Sequence, residues 1–254
     1  MKVLMCPPLH YEPAPGEDAS AVMAEWHGLY RLLRDEMDVQ VDLLEPRPDM
    51  PKLVLAASGG FVWKDSFIAS RFREDSRRSE AEAWENFFLV RGYATPGLPE
   101  GCRFEGERDL VGVGGTMFAG YRSDDDLAAH AAVAKVLGGE IRSLRLSDAW
   151  DRPLDTCLCP LGDGGALFHP DAFDPSARKD LEDHVPRLHP VDTDDARRLG
   201  CNALVAGQNV VLPQGCRGIA AHLEKTGFQV HHLPVGAFAR HAAGPKSLVL
   251  KIAG

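Results

Sequence analysis

A pair of short apolar strands followed by a helix recurs along this chain, and this repeat constrains the fold more than any other feature. The paired apolar runs lie at 53–62 with 66–72, 109–113 with 116–121, 156–161 with 166–169, and 203–206 with 210–213. Glycine, asparagine and aspartate fill most of the intervening turns, as expected for hairpins. Helical patterns follow at 79–92, 125–138, 171–183 and 215–227. A period of roughly fifty residues predicts a closed or stacked repeat architecture.

The two ends of the chain complete a fifth unit. Residues 2–5 and 248–252 are patterned as buried strands, and residues 19–37 supply a helix after the first of them. Strands that alternate with helices in this way are typical of α/β proteins. The sequence therefore predicts an α/β protein of five strand-and-helix units in a single domain, residues 1–254.

Composition limits the classes of partner. The chain has 254 residues, of which 44% are hydrophobic, and a formal net charge of -9. An acidic chain with only short basic clusters lacks the cations that nucleic acids and anionic membranes require. No apolar stretch reaches membrane-spanning length, and Pro7-Pro8 interrupts the N-terminus before a signal-peptide core. We therefore expect a cytoplasmic protein with no nucleic-acid or membrane partner.

The cysteines and histidines do not predict a metal site. Six cysteines are scattered along the chain, which favours reduced, buried thiols over a disulfide framework. Cys157 and Cys159 are separated by one residue, whereas a zinc knuckle needs two. His231 and His232 are adjacent, so on a strand they would point to opposite faces. With no phosphate or nucleotide motif in the chain either, we expect no metal and no cofactor.

Six short strings, in order across the chain, carry a resemblance to a known family. They are Met5-Cys6-Pro7-Pro8, Ala69-Ser70-Arg71-Phe72, Phe104-Glu105-Gly106, Phe118-Ala119-Gly120-Tyr121, Leu154-Asp155-Thr156-Cys157-Leu158-Cys159-Pro160-Leu161 and Cys201-Asn202-Ala203-Leu204. In order and rough spacing they resemble the dimethylarginine dimethylaminohydrolase and amidinotransferase-like proteins of the guanidine-modifying, or pentein, superfamily. The resemblance implies a five-bladed α/β propeller with ββαβ-type blades and an active site on its axis.

The resemblance also implies which positions carry the chemistry, and here the chain departs from the family. Family members attack the guanidinium carbon with a cysteine thiolate and move protons with a histidine. Ser247 stands at the cysteine position, and Pro153 stands at the histidine position. A serine hydroxyl needs a general base, and proline has no titratable group. We therefore expect the cysteine-dependent reaction to be absent.

Carboxylates that the family uses to hold the guanidinium are replaced as well. Aligned through Pro51 and Gly60, Lys52 takes the place of an aspartate, and Ser58 takes the place of an asparagine or aspartate. A lysine ammonium repels a guanidinium. We therefore expect that arginine is not held in the family's orientation.

Other parts of the family's pocket are retained. Glu105 and Asp109 keep acidic positions, and Arg122 stands near the arginine that binds a substrate α-carboxylate. Arg77 or Arg78 matches a second such arginine. Because guanidinium groups bind carboxylates bidentately, these residues predict a small-molecule ligand with a carboxylate.

Each assignment has a structural alternative. Ser247 could instead be a buried strand residue, and Glu105 could hydrogen-bond backbone at the propeller centre. Lys52 could reach solvent beside Glu105 or Asp49, and the arginines could form surface ion pairs. His241, six residues before Ser247, is the one histidine placed to replace the lost base, or else a solvated loop residue. These alternatives stay open on the sequence alone.

Two functions are compatible with these residues. The first, which we favour, is a repurposed enzyme that acts on a small carboxylate-bearing guanidino, ureido or amidino acid, with Lys52, Glu105, Ser247 and His241 as acid, base or electrostatic groups. The second is a catalytically inactive relative that binds a metabolite or a partner protein. The sequence leaves open a homodimer, and it leaves open whether the Pro- and Gly-rich residues 12–17 form a lid.

Overall fold

A computed structural model describes residues 1–13 and 18–253, so most of the segment 12–17 lies outside the described residues. The strands are β1 Lys2–Met5, β2 Gln40–Leu43, β3 Gly60–Trp63, β4 Ser66–Ala69, β5 Leu110–Val113, β6 Thr116–Tyr121, β7 Ile141–Arg145, β8 Leu158–Pro160, β9 Ala166–Phe168, β10 Leu188–Pro190, β11 Leu204–Ala206, β12 Asn209–Pro213, β13 Gln229–Leu233 and β14 Leu250–Ala253. The helices are α1 Ala19–Arg31, α2 Glu80–Leu89, α3 Asp124–Leu137, α4 Pro175–His184, α5 Thr193–Arg197 and α6 Arg217–Lys225.

Within the described residues these strands form five separate sheets with one repeated plan. In four of them an antiparallel pair is extended by a parallel third strand, as in β5-β6-β7, β8-β9-β10, β11-β12-β13 and β14-β1-β2. The fifth sheet is the hairpin β3-β4, beside which Ala94 makes one parallel bridge to Ser66. The repeat predicted from the apolar runs is confirmed, including the sheet that joins the two ends of the chain.

Helix ends follow the residues expected to cap them. The acidic start of α3 is capped by Ser123 and Asp126, whose carboxylate accepts the Ser123 N–H at 3.2 Å. The same helix ends at Gly138, which has a φ of 67°, the left-handed conformation that glycine tolerates best. These local signals explain why the predicted bounds of α3 differ from the observed ones by a single residue at each end.

Several predicted elements were wrong in detail. The helix expected at 171–183 begins only at Pro175, after a 3₁₀ turn at Pro170–Ala172. Residues 53–59 were expected to be strand, but the chain forms 3₁₀ turns at Pro51–Val54 and Ala56–Gly59, and the strand begins at Gly60. Pro51 favours this start because it fixes φ and occupies the first position of the turn. The helix expected at 19–37 leaves the α conformation after Arg31 and continues as a π-helical stretch, Leu32–Glu36.

No helix among the residues that the structure describes is long and apolar enough to cross a membrane.

Candidate functional site

Short turns lie immediately before the first strand of four of the five sheets, and two of these turns contain Ser58 and Ser247. The 3₁₀ turns Ala56–Gly59, Gly106–Arg108, Leu154–Thr156 and Pro245–Leu248 precede β3, β5, β8 and β14. Two of the turns touch at Gly106, which has a φ of 60° and lies so close to Gly60 that a Cβ would come 2.2 Å from the Gly60 carbonyl oxygen. Only glycine allows this approach. The turns therefore bring residues from distant parts of the sequence together.

Ser247 is held by a buried asparagine. It is 3% exposed, and its hydroxyl donates a hydrogen bond of 2.9 Å to Oδ1 of Asn202. The same oxygen accepts the backbone N–H groups of Gly244 and Ser247 at 2.9 Å and 3.2 Å. An amide oxygen does not take up a proton at neutral pH, so this partner cannot act as the base that a serine nucleophile needs.

The asparagine connects Ser247 to a buried carboxylate. Nδ2 of Asn202 donates to Oδ2 and to the backbone oxygen of Asp155, at 2.8 Å and 3.1 Å. Burial raises the pKa of Asp155 to about 6, although Arg108 and Lys246 act in the opposite direction. Oδ1 of Asp155 is buried and has no hydrogen-bond partner. Oδ1 of Asp155 is thus a hydrogen-bond acceptor that has no donor among the described residues.

A cavity of about 420 Å³ lies on the side of these turns where Pro153 is found. Five cationic side chains line it, and we call it the cationic cavity. They are Lys52, Arg77, Arg108, Arg152 and Arg240. Its lining also includes Glu74, Asp151 and His241. Because cations outnumber carboxylates here, the cavity attracts anions and repels cations.

Lys52 and His241 meet in this cavity. The Lys52 ammonium pairs with Glu74 at 2.5 Å, which corrects the expectation that it lies beside Glu105 or Asp49. The hydrogen bond from Lys52 lowers the pKa of Glu74. Burial, together with Lys52 and Arg240, lowers the pKa of His241 to about 4. His241 is therefore a neutral imidazole at pH 7, able to accept a proton but only as a weak base.

Arg77, predicted to hold a ligand carboxylate, already holds a carboxylate of the protein. Its guanidinium pairs with Glu80 at 2.7 Å, and both side chains are buried. It also donates to the hydroxyl of Ser58 at 2.8 Å, and that hydroxyl donates to the Leu55 carbonyl. Burial raises the pKa of Glu80 despite this ion pair. The Ser58 hydroxyl and most of the Arg77 guanidinium are thus occupied by contacts within the protein. Arg78 forms a surface ion pair with Asp75.

Glu105 and Asp109 belong to a cluster around Arg73, a residue that the sequence reasoning missed. The Arg73 guanidinium pairs with Asp109 at 2.8 Å and with Asp126 at 2.9 Å. Its backbone N–H donates to Glu105 at 3.0 Å. Glu105 also receives a hydrogen bond of 3.4 Å from Arg108, which lines the cationic cavity. Both retained acids thus contact arginines, and Glu105 is linked to the cavity lining through Arg108.

Arg122 supports the loop that forms another wall. Its guanidinium donates to the backbone oxygens of Ser147 at 3.2 Å, Arg152 at 2.7 Å, and Trp150. This places Arg122 behind Arg152, which itself lines the cavity. A direct contact between Arg122 and a ligand stays a prediction.

The structure brings only some of the predicted site residues to the same cavity. Lys52, Arg77 and His241 do line one cavity, whereas Ser58, Glu105, Asp109 and Ser247 are not among its lining residues. The sequence analysis missed the other three cationic residues of the cavity lining, Arg108, Arg152 and Arg240. The sequence offered one signal for these arginines, which is that Arg152 directly precedes Pro153, a position that the resemblance assigns to the active site. Among the described residues, no three His, Cys, Asp or Glu side chains are grouped for a metal ion.

The chain is similar in sequence to proteins named for reactions of arginine and its methylated form. It is 36% identical over 221 positions to the N(G),N(G)-dimethylarginine dimethylaminohydrolase of Mycobacterium tuberculosis, covering 86% of this chain and 70% of that protein. It is 31% identical over 267 positions to the bifunctional arginine dihydrolase/ornithine cyclodeaminase AgrE of Nostoc sp., covering 99% of this chain. The chain spans 38% of the length of AgrE and of a second bifunctional relative, ArgZ of Synechocystis sp.. No family model matches the chain.

Solved structures share the fold. The N-terminal domain of ArgZ, an arginine dihydrolase, in a cysteine-to-serine mutant bound to its substrate, superposes with a TM-score of 0.92 at 30% identity, covering 99% of this chain and 98% of that one. A dimethylarginine dimethylaminohydrolase adduct superposes with a TM-score of 0.84 at 17% identity, covering 98% of each chain. At 17% identity, the second structure shows only that the chain shares the α/β fold of these proteins.

Stability should depend on pH through Asp155. Its pKa of about 6 lies above the ordinary 3.8, so between about pH 4 and pH 6 the folded state holds a proton that the unfolded state has released. Ionising this buried carboxyl then costs the folded state on the order of 3 kcal/mol as pH rises through this interval. Relative to the unmodified protein, Asp155→Asn should therefore gain unfolding free energy between pH 4 and pH 7, as measured by urea denaturation. Exposed Asp148→Asn is the control, and a stability difference that stays constant with pH would contradict the assignment.

Proposed function

The chain belongs to the dimethylarginine dimethylaminohydrolase-like family of the pentein superfamily, and from that premise we propose that it binds a small anionic, amino-acid-like metabolite and does not carry out cysteine-dependent chemistry on guanidines. Curated relatives are named for the hydrolysis of arginine or dimethylarginine, whose side chains are cations. The observation that carries the proposal is the excess of cationic side chains in the cavity beside Pro153.

The proposed architecture is a single domain, residues 1–254, with five sheets arranged as blades around one axis. A second cavity supports this arrangement, because its lining includes residues from or next to the first strand of every sheet: Trp63, Val111, Leu158, Ala203 and Ile252. A position enclosed by five sheets is what a closed ring of blades provides. On this proposal the cationic cavity lies at the end of the axis where the resemblance places the active site.

Charge argues against a guanidinium ligand. Two like charges about 4 Å apart, at an effective dielectric near 20, repel by about 4 kcal/mol. A guanidinium beside Lys52 would meet this repulsion, and Glu74, the carboxylate nearest to Lys52, is already paired with it. A carboxylate side chain would instead gain an attraction from Lys52, Arg152 and Arg240. The ligand we propose therefore carries a carboxylate at the end where arginine carries a guanidinium.

The loss of the nucleophilic reaction is the second part of the proposal. Ser247 donates its hydroxyl hydrogen to Asn202, and Pro153 supplies no base. A relative with a cysteine replaced by serine was solved with its substrate bound, so that replacement permits ligand binding in ArgZ. We propose likewise that this chain retains a binding site where its relatives have a reactive one.

One observation favours a catalytic alternative. His241 is a neutral imidazole in the cationic cavity, beside the Lys52–Glu74 ion pair. A bound anion would raise the pKa of His241 by offsetting the nearby cations, which would make it a better base. In this alternative His241 moves a proton, Lys52 stabilises developing negative charge, and Glu105 acts through Arg108, while Ser247 positions Asn202.

Replacement of Lys52 tests the binding proposal. Lys52→Met removes a cation and leaves Glu74 as an unpaired anion, so the affinity for L-glutamate in calorimetry should fall at least tenfold, or about 1.4 kcal/mol. The double variant Lys52→Met/Glu74→Gln should recover part of that loss. Exposed Lys225→Met, which makes the same change at the end of α6, should bind like the unmodified protein. Unchanged affinity in Lys52→Met, or no binding of L-glutamate by the unmodified protein, would contradict the proposal.

Restoring the sulfur tests the loss of chemistry. Ser247→Cys should release no more citrulline from L-arginine or N,N-dimethylarginine than the unmodified protein, because burial favours a neutral thiol and Pro153 cannot take its proton. Circular dichroism would establish that the variant is folded. Citrulline release clearly above that of the unmodified protein would refute the loss.

A further inference from the structure

The second cavity, of about 270 Å³, differs in chemistry from the cationic one. We call it the apolar cavity, because most of its wall is hydrophobic. Aromatic and aliphatic walls come from Phe61, Trp63, Leu110, Met117 and Leu158. Its volume is near the lower end of the range for small-molecule sites, so a ligand would have to be compact.

The two cavities share no lining residue. Neighbouring residues of the same turns face different cavities: Arg108 lines the cationic cavity, and Glu107 lines the apolar one. Pro153 and Asp155 divide in the same way. The turns thus form a wall between two separate chambers, and a ligand in one would not occupy the other.

Four charged residues line the apolar cavity, and one pair of them is satisfied. Lys246 pairs with Glu107 at 2.6 Å. The other oxygen of Glu107 accepts the backbone N–H of Lys251 at 3.2 Å. Glu107 therefore uses both oxygens on protein partners, and its negative charge is matched by the ammonium of Lys246.

Two polar groups of opposite charge remain unmatched, one on the half-buried Lys251 and one on the buried Asp155. The side-chain ammonium of Lys251 makes no hydrogen bond or ion pair within the part of the chain that the structure describes, and burial, followed by the charge of Lys246, lowers its pKa. Oδ1 of Asp155 is buried without a hydrogen-bond partner. Both residues line the apolar cavity, as does Cys159. Leaving such groups unpaired is costly, and a ligand that pairs with both removes the cost.

We infer that the apolar cavity is a second ligand site, for a small α-amino acid with an apolar side chain. The carboxylate of the ligand pairs with the ammonium of Lys251, and its α-ammonium donates to Oδ1 of Asp155. The apolar side chain packs against Trp63, Phe61 and Leu110. Neither an apolar carboxylate nor an apolar amine satisfies both unmatched groups, whereas a zwitterion does. The site is independent of the function proposed for the cationic cavity.

The fluorescence of Trp63 reports directly on this cavity. Titration with L-leucine should change the tryptophan emission of the unmodified protein, and Trp63→Phe should abolish that change, which separates this site from the cationic cavity. Lys251→Met keeps the length of the side chain but removes the charge, and it should weaken L-leucine binding at least tenfold in calorimetry. Lys251→Gln serves as a second variant should Lys251→Met not fold, and exposed Lys225→Met is the charge-matched control.

Ligand analogues test each contact. Leucinamide, which lacks the carboxylate, should bind at least tenfold more weakly than L-leucine, and so should 4-methylpentanoate, which lacks the ammonium. Asp155→Asn should weaken L-leucine but leave 4-methylpentanoate unchanged. The inference is overturned if L-leucine does not bind, if Lys251→Met binds it as tightly as the unmodified protein does, or if either analogue matches its affinity.

Discussion

The arrangement of both cavities depends on the hydrogen bonds that the buried side chain of Asn202 makes. Its amide oxygen accepts three hydrogen bonds, from Gly244 and from the backbone and hydroxyl of Ser247, and its nitrogen donates to Asp155. A buried amide with its donors and acceptors matched fixes a single arrangement, because any other leaves a polar group unpaired. It thereby ties the turn before β8 to the turn before β14. Those turns form part of the wall between the cationic and apolar cavities.

The wall separates the charged side chains of the cationic cavity from those of the apolar cavity. On one side Lys52, Arg152 and Arg240 project into the cationic cavity, and on the other Lys251 faces hydrophobic side chains. The net charge of the chain is -9, so the cationic cavity is a local exception in an acidic protein, whereas the apolar cavity has two lysines and two carboxylates. Concentrated positive charge inside a cavity has a cost unless an anion occupies it. The ligand proposal for the cationic cavity follows from that constraint, whereas the proposal for the apolar cavity follows from one unmatched ammonium and one unmatched carboxylate oxygen.

The sheets could be predicted from sequence because their signals are local. Alternating apolar runs and glycine turns marked β5 with β6 and β11 with β12 to within one residue of each strand end, and the pairing of β1 with β14 followed from the count of units. The 3₁₀ turn at Ala56–Gly59 was missed, since its apolar residues fit a buried strand equally well. A periodicity argument cannot separate a turn from a strand when every residue is buried.

Side-chain partners were harder to predict, because they depend on contacts between distant residues. Lys52 pairs with Glu74, 22 residues away, and Arg73 joins acids up to 53 residues away. No spacing rule distinguishes Arg73 from Arg71, Arg77 or Arg78. Only the fold decides which of them meets Asp109. The resemblance, by contrast, drew attention to Ser247, Pro153 and Lys52, and their correspondence to the family's catalytic and binding positions stays a prediction.

The most direct test of the charge argument compares two amino acids on the unmodified protein. L-glutamate and L-arginine share the same α-amino and α-carboxyl groups and differ in the sign of the side-chain charge. Calorimetric titration of both at pH 7 should show L-glutamate binding at least tenfold more tightly. Tighter binding of L-arginine would contradict the claim that this cavity has exchanged a guanidinium site for an anion site.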